Sequence, residues 1–275
     1  MSRSFSWFKD KPLRMMWKVE KDGGASYLVG TAHFFPYSFA RPLTQLFEKV
    51  ERVIFEGPLD PESMEKIAQH GRGGDGSLAL IEKLDPAAVR EINKMLSQRL
   101  SHQDGANLYW LLQPTAPSIF ELYTQNMRPW MALFSVWSTY LDWKYSLDLE
   151  AYQVARRMGV KTCFLETLDE QLAVLDGIPL ERILRHLNDA KNWEAYKDHY
   201  VRLFLEGDLD GLIATTDRFP TRGPVVVSQR DRVMFERMKG AFERGRAAAF
   251  VGFPHIPGLR QMFLDKGYQV SQESA

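Results

Sequence analysis

The chain has 275 residues, 45% hydrophobic and 25% charged, which argues against disorder and allows a sizeable core without staples. Its 35 basic and 35 acidic residues cancel, so no overall field draws it to nucleic acid. One cysteine excludes a disulfide framework.

The N-terminus, MSRSFSWFKDKPLRMMWKVE, lacks the unbroken apolar stretch of a secretory signal, so a cytoplasmic location is expected. RMMWKVE and SYLVGTAH flank the turn-rich KDGGA and read as an antiparallel hairpin. The second of these pieces ends in Gly30-x-x-His33. PLTQLFEKVERV has helical apolar spacing. RVIFEGPLD is a strand ending at Glu56, stopped by Gly57-Pro58. QHGRGGDGS reads as a flexible loop; no Gly-Lys-Ser/Thr follows, so it is not a phosphate cradle.

From 78 to 145 the pattern is helical, with prolines at 86, 114, 117 and 129 where helices begin or break. This insert is rich in aromatics and methionines. It is either a plain helical core or a greasy cap over a site for an apolar or peptide-like ligand. Its longest greasy run, Pro129 to Trp143, is too short to span a membrane and includes Ser, Thr and Asp.

SLDLEAYQVARRMG is an amphipathic helix capped by Ser146 or Asp148 and ended by Gly159. VKTCFLET is a strand ending on Glu166, with Cys163 expected in its core. LDEQLAVLDGIP is a short helix, and further helices follow. VVVSQRDRVMFERMKGAFERG is a long helix entered from Gly223-Pro224. RAAAFVGFPH is a strand carrying a second piece, Gly252-x-x-His255, before a helix and the short strand YQV. Strands alternating with helices indicate an α/β domain over 1–275, with 78–145 embedded in it.

Four strands end in a polar residue: His33, Glu56, Glu166 and His255. Open α/β sheets bind ligands outside the carboxyl ends of their strands. Two imidazoles and two carboxylates gathered there suit a divalent transition metal. Glycine three residues before each histidine suits a sharp turn off the strand and close approach to a ligand. Arg230, early in a helix, is either part of a solvated charged face or an anchor for a substrate carboxylate or oxyanion. No Gly-x-Ser-x-Gly elbow exists, so a serine nucleophile is unsupported.

In order, YLVGTAH, VIFEG, DLEAYQVARRMGVKTCFLETLDEQLAVLDGIP, RDRVMFERM and AAAFVGFPHIPGLRQMFLDKGYQV resemble the TraB/PrgY/GumN family, a relative of the Tiki proteins. Asp231 stands where that family usually has Asn. The resemblance implies an α/β fold with a mixed central sheet and flanking helices, like the erythromycin-esterase and ChaN-type proteins. It implies a functional set of His33, Glu56, Glu166, Arg230 and His255. For the Tiki branch it implies metal-dependent peptidase activity. His33, Glu56, Glu166 and His255 would then hold a divalent ion such as Mn, Co or Zn. Two other functions stay open: a protein that binds a peptide or small molecule without turnover, and a metal-free hydrolase with a histidine base.

Overall fold

The computed structural model describes residues 11–74, 80–104, 118–224 and 226–275. Met16–Lys21 (β1) and Gly24–Thr31 (β2) pair antiparallel, with Lys21 opposite Gly24. The two-residue turn between them is Asp22-Gly23, both at positive φ (50° and 80°). That is the backbone a tight hairpin demands, and Asp-Gly supplies it at low strain.

Arg52–Phe55 (β3), Lys161–Phe164 (β4) and Ala247–Gly252 (β5) join β2 as a parallel group. Gln269–Glu273 (β6) pairs antiparallel with β1. The sheet order is β4-β3-β5-β2-β1-β6. The result is an α/β protein with a mixed six-stranded sheet. The last parallel strand to be made, β5, lies between β3 and β2. It is fully buried from Ala247 to Val251. Its run of small residues lets helices pack tightly on both faces of the middle of the sheet.

Ser146 caps the helix Leu147–Met158, its hydroxyl accepting from the Leu149 N–H at 3.4 Å. Gly159 at φ 69° closes it. Thr167 and Glu170 form a reciprocal capping box at the start of Leu168–Asp176.

Two readings of the sequence need correction. Cys163 is exposed, not core. It lies on β4, which has a neighbour on one side only and is open along most of its length. The loop expected from Gln69 starts later, because Gln69–Gly71 complete the helix Pro61–Gly71. Residues 75–79 of that stretch lie outside the described residues.

The apolar interior has two parts. One surrounds the sheet. The other is helical and joins Leu80–Leu141 to Ile178, Ile183, Leu187, Trp193 and Val226. The 78–145 segment therefore shares its core with chain that follows β4; residues 78–79 and 105–117 of it are outside the described residues. Phe34, next to His33, and Val227, just before Arg230, both pack on this second core. The carboxyl end of the sheet thus meets the helical part where the candidate residues stand.

Candidate functional site

The strand order turns four separate sequence pieces into one row. Along β4, β3, β5 and β2 the residues just past the carboxyl ends are, in turn, Glu166, Glu56, His255 and His33. Adjacent strands lie about 4.8 Å apart, so the row occupies one rim of the sheet. The ladder continues one step beyond the strands at Glu56. Its N–H donates to the Phe250 carbonyl at 3.1 Å, and its own carbonyl accepts from the Glu166 N–H at 2.9 Å.

Glycine serves both Gly-x-x-His pieces through space rather than through a left-handed turn. A Cβ on Gly30 would lie 3.1 Å from Phe253 Cβ and from Ile256 Cγ1. The first piece therefore packs directly against the second. The Gly252 N–H donates to Glu56 Oε2 at 2.9 Å, and a Cβ there would meet the same oxygen at 3.4 Å.

Arg230 reaches the row from the helix Ser228–Glu243. Its Nε donates to Glu166 Oε1 at 2.7 Å and its Nη2 to Glu166 Oε2 at 2.5 Å. Nη2 also pairs with Glu56 Oε1. Nη1 donates to the Val226 carbonyl at 2.8 Å and lies 3.5 Å from His255 Nε2. Four of the five guanidinium donors are thus occupied within the protein. Burial opposes the charge of Glu56. Even so, Arg230, the two histidines and the Gly252 N–H hold its carboxyl well below the usual range. Burial likewise opposes the charge of Arg230, but Glu56 and Glu166 more than restore it.

Each histidine has its own aspartate. His255 is 3% exposed, and its Nδ1 lies 2.6 Å from Asp231 Oδ1. With the proton on Nδ1, that bond leaves Nε2 as an acceptor facing the site. His33 Nδ1 lies 3.0 Å from Asp148 Oδ2 as an ion pair, and its ring keeps 69% of its surface open. The Asp148 carboxylate lifts the His33 imidazole to about 9, against a smaller opposing effect of burial. Solvent around so open a ring screens part of that lift. The Leu147 N–H donates to the Ala32 carbonyl at 3.1 Å, which brings Asp148 beside His33.

Arg230 thus touches Glu56, Glu166 and His255, while His33 stands past the end of the neighbouring strand beside Asp148. Sequence reading weighed Asp148 chiefly as a helix cap and left Asp231 open. It passed over Arg222, whose Cζ lies 4.5 Å from the Phe253 ring centre. It passed over Tyr200 too, whose ring centre is 6.1 Å from that of Phe253. Neither sits in a repeated pattern or at a strand end, so no local signal marked them.

Metal fit can be judged from the donors. Among the described residues no three His, Cys, Asp or Glu side chains are grouped so as to hold a metal ion. Both glutamates bond to Arg230, a cation already between them. As placed, the four residues do not fit a metal centre.

A parallel-centred α/β sheet with imidazoles, carboxylates and an arginine at its carboxyl rim defines the class of α/β proteins with a strand-end polar site. The chain matches the TraB/PrgY/gumN family over residues 15–272 and belongs to that family. A comparison with curated proteins gave no match. No helix among the described residues is long and apolar enough to cross a membrane.

Proposed function

We propose that this protein hydrolyses peptide-like amide or ester bonds with a histidine base and a histidine acid. The carrying observation is the pair of imidazoles on neighbouring strand ends, each tied to its own aspartate but set in opposite surroundings. His255, its Nδ1 held by Asp231, takes a proton from water at Nε2. The water oxygen attacks the carbonyl carbon. His33, charged at neutral pH, gives its proton to the leaving nitrogen or oxygen as that bond breaks. His255 then returns its proton to solvent and the open His33 regains one. A buried imidazole and an open one, each held by an aspartate, divide the base and acid roles. Asp231 and Asp148 hold the two rings and balance their charge. Arg230 clamps the glutamates, and its remaining N–H, which lies 3.5 Å from His255 Nε2, would turn to the developing oxyanion.

A second reading keeps the divalent ion implied by the family resemblance. One observation favours it: both histidines have a carboxylate behind Nδ1, the arrangement that supports imidazole–metal bonds through Nε2. Glu56 and Glu166 would join them only after release from Arg230.

The test is a panel of peptides and esters, run on protein purified without a His tag, with metal analysis and chelators alongside. Chelator-resistant hydrolysis that is lost in His255→Ala supports the histidine-base reading. Activity that requires stoichiometric Mn, Co or Zn replaces it with the metal reading. Binding of panel members without turnover replaces both with a sequestering protein.

A further inference from the structure

Among the described residues, Arg222 is the cation of this site that has no ion pair. It ends the short turn Pro220–Arg222. Arg182 fixes that turn by donating to the carbonyls of Asp217, Phe219 and Pro220 at 2.7, 3.0 and 3.3 Å. The guanidinium then lies over Phe253, two residues before His255, with Phe219 beside it at 5.7 Å. Its Nε donates to Thr216 Oγ1 at 3.2 Å and its Nη1 to Thr221 Oγ1 at 3.0 Å. Both partners are neutral. Among the described residues Arg222 makes no ion pair, whereas Arg230, His33 and His255 each have one.

Arg222 is half-buried, and an arginine there stays charged and can present its donors to a ligand. Its charge acts on both His33 and Glu56, which places it within electrostatic reach of the reacting groups. Among the described residues three of its five N–H donors have no protein acceptor, and a guanidinium edge matches a carboxylate with two parallel bonds. Arg230 cannot serve in this way, because four of its five donors are occupied by Glu56, Glu166 and Val226.

We propose that Arg222 binds a free carboxylate of the substrate, making this a site for acyl or peptide-like compounds that bear a carboxylate near the bond to be broken. Glu56, Glu166, Asp148 and Asp231 already crowd the site with negative charge. A single-charged carboxylate is tolerated there where a doubly charged phosphate is repelled. Which bond breaks rests on the hydrolase reading above; the carboxylate subsite itself does not need turnover.

Calorimetric titration of the full chain with N-acetyl-Phe-Ala, its C-terminal carboxamide and inorganic phosphate tests this. The free acid is expected to bind about tenfold or more tightly than the amide, the usual worth of a charged hydrogen-bonded contact. Arg222→Gln should reduce that preference to less than about twofold, with the loss falling mainly on the free acid. Arg222→Lys should keep part of it. Equal binding of acid and amide by the wild type overturns the proposal without any variant. So does the absence of acid binding at about 1 mM, a preference that survives in folded Arg222→Gln, or phosphate binding tighter than the acid. A hydrolysis assay on the same samples separates the two ideas. Acid preference without turnover removes the hydrolase and keeps the subsite; turnover without acid preference does the reverse.

Discussion

Asp231 Oδ1 stands 2.6 Å from His255 Nδ1, joining the helix Ser228–Glu243 to the second Gly-x-x-His turn. Its neighbour Arg230 points instead to Glu56 and Glu166. Two consecutive residues of one helix therefore serve adjacent strand ends. Replacing the carboxylate by an amide keeps an oxygen that can accept from Nδ1–H but removes the charge that balances a protonated ring. Asp231→Asn is expected to lower kcat by about 10²–10⁴-fold with KM little changed, as for loss of general-base support. Steady-state kinetics on a hydrolysed panel member measures this, and an unaltered kcat would remove Asp231 from the mechanism.

Gly258 makes the pairing possible. A Cβ at that position would lie 2.2 Å from Asp231 Oδ2. Gly258→Ala should destabilise the fold by about 1–3 kcal/mol, the range for overpacking. It should also move Asp231 off His255. The activity losses of Gly258→Ala and Asp231→Ala should then fail to add in the double variant. Additive losses would mean the glycine acts elsewhere.

Arg230 is 11% exposed in its side chain and holds two carboxylates together. Its removal leaves Glu56 and Glu166 facing each other without a cation. Arg230→Gln should cost about 3–5 kcal/mol in denaturant unfolding, as for one partner of a buried ion pair. Arg230→Lys should recover only part, because an ammonium cannot bond both carboxylates with the same fork. Adding Glu56→Gln to Arg230→Gln should restore some stability by removing a stranded charge.

Stability should fall off on both sides of neutrality for separate reasons. The carboxyl of Glu56 is depressed from its ordinary 4.5. Its contribution is present above pH 4.5 and is lost as pH falls toward the depressed value, so Glu56→Gln should flatten the acid limb of the melting curve. His33 is lifted from 6.5 to about 9. Its contribution is full below pH 6.5 and is lost as pH rises through 9. Asp148→Asn should remove that alkaline loss, a small one because the ring is open to solvent. If His33 is the acid, kcat should decline over the same alkaline window. A kcat flat to pH 10 would assign the leaving-group proton elsewhere.

Much of this molecule was set by short stretches of sequence. Asp22-Gly23 fixed the hairpin, Ser146 and Gly159 bounded a helix, and four polar residues directly after apolar runs marked the strand ends. These are local choices of dihedral angle, cap and burial, which neighbouring residues decide by themselves. The ordered blocks from YLVGTAH to the final GYQV also carried the family. Only the tertiary structure decided that β5 enters between β3 and β2, which makes Glu166, Glu56, His255 and His33 consecutive along one rim. Strand order depends on which distant segments bury each other, and no local pattern encodes that. The same packing left β4 at an edge and Cys163 exposed, gave each histidine an aspartate from a different helix, and occupied the donors of Arg230. It also laid Arg222, from an unremarkable turn, over Phe253, with no ion pair among the described residues. Charge pairing is a property of groups brought together in space, so it became definite only when the chain closed on itself.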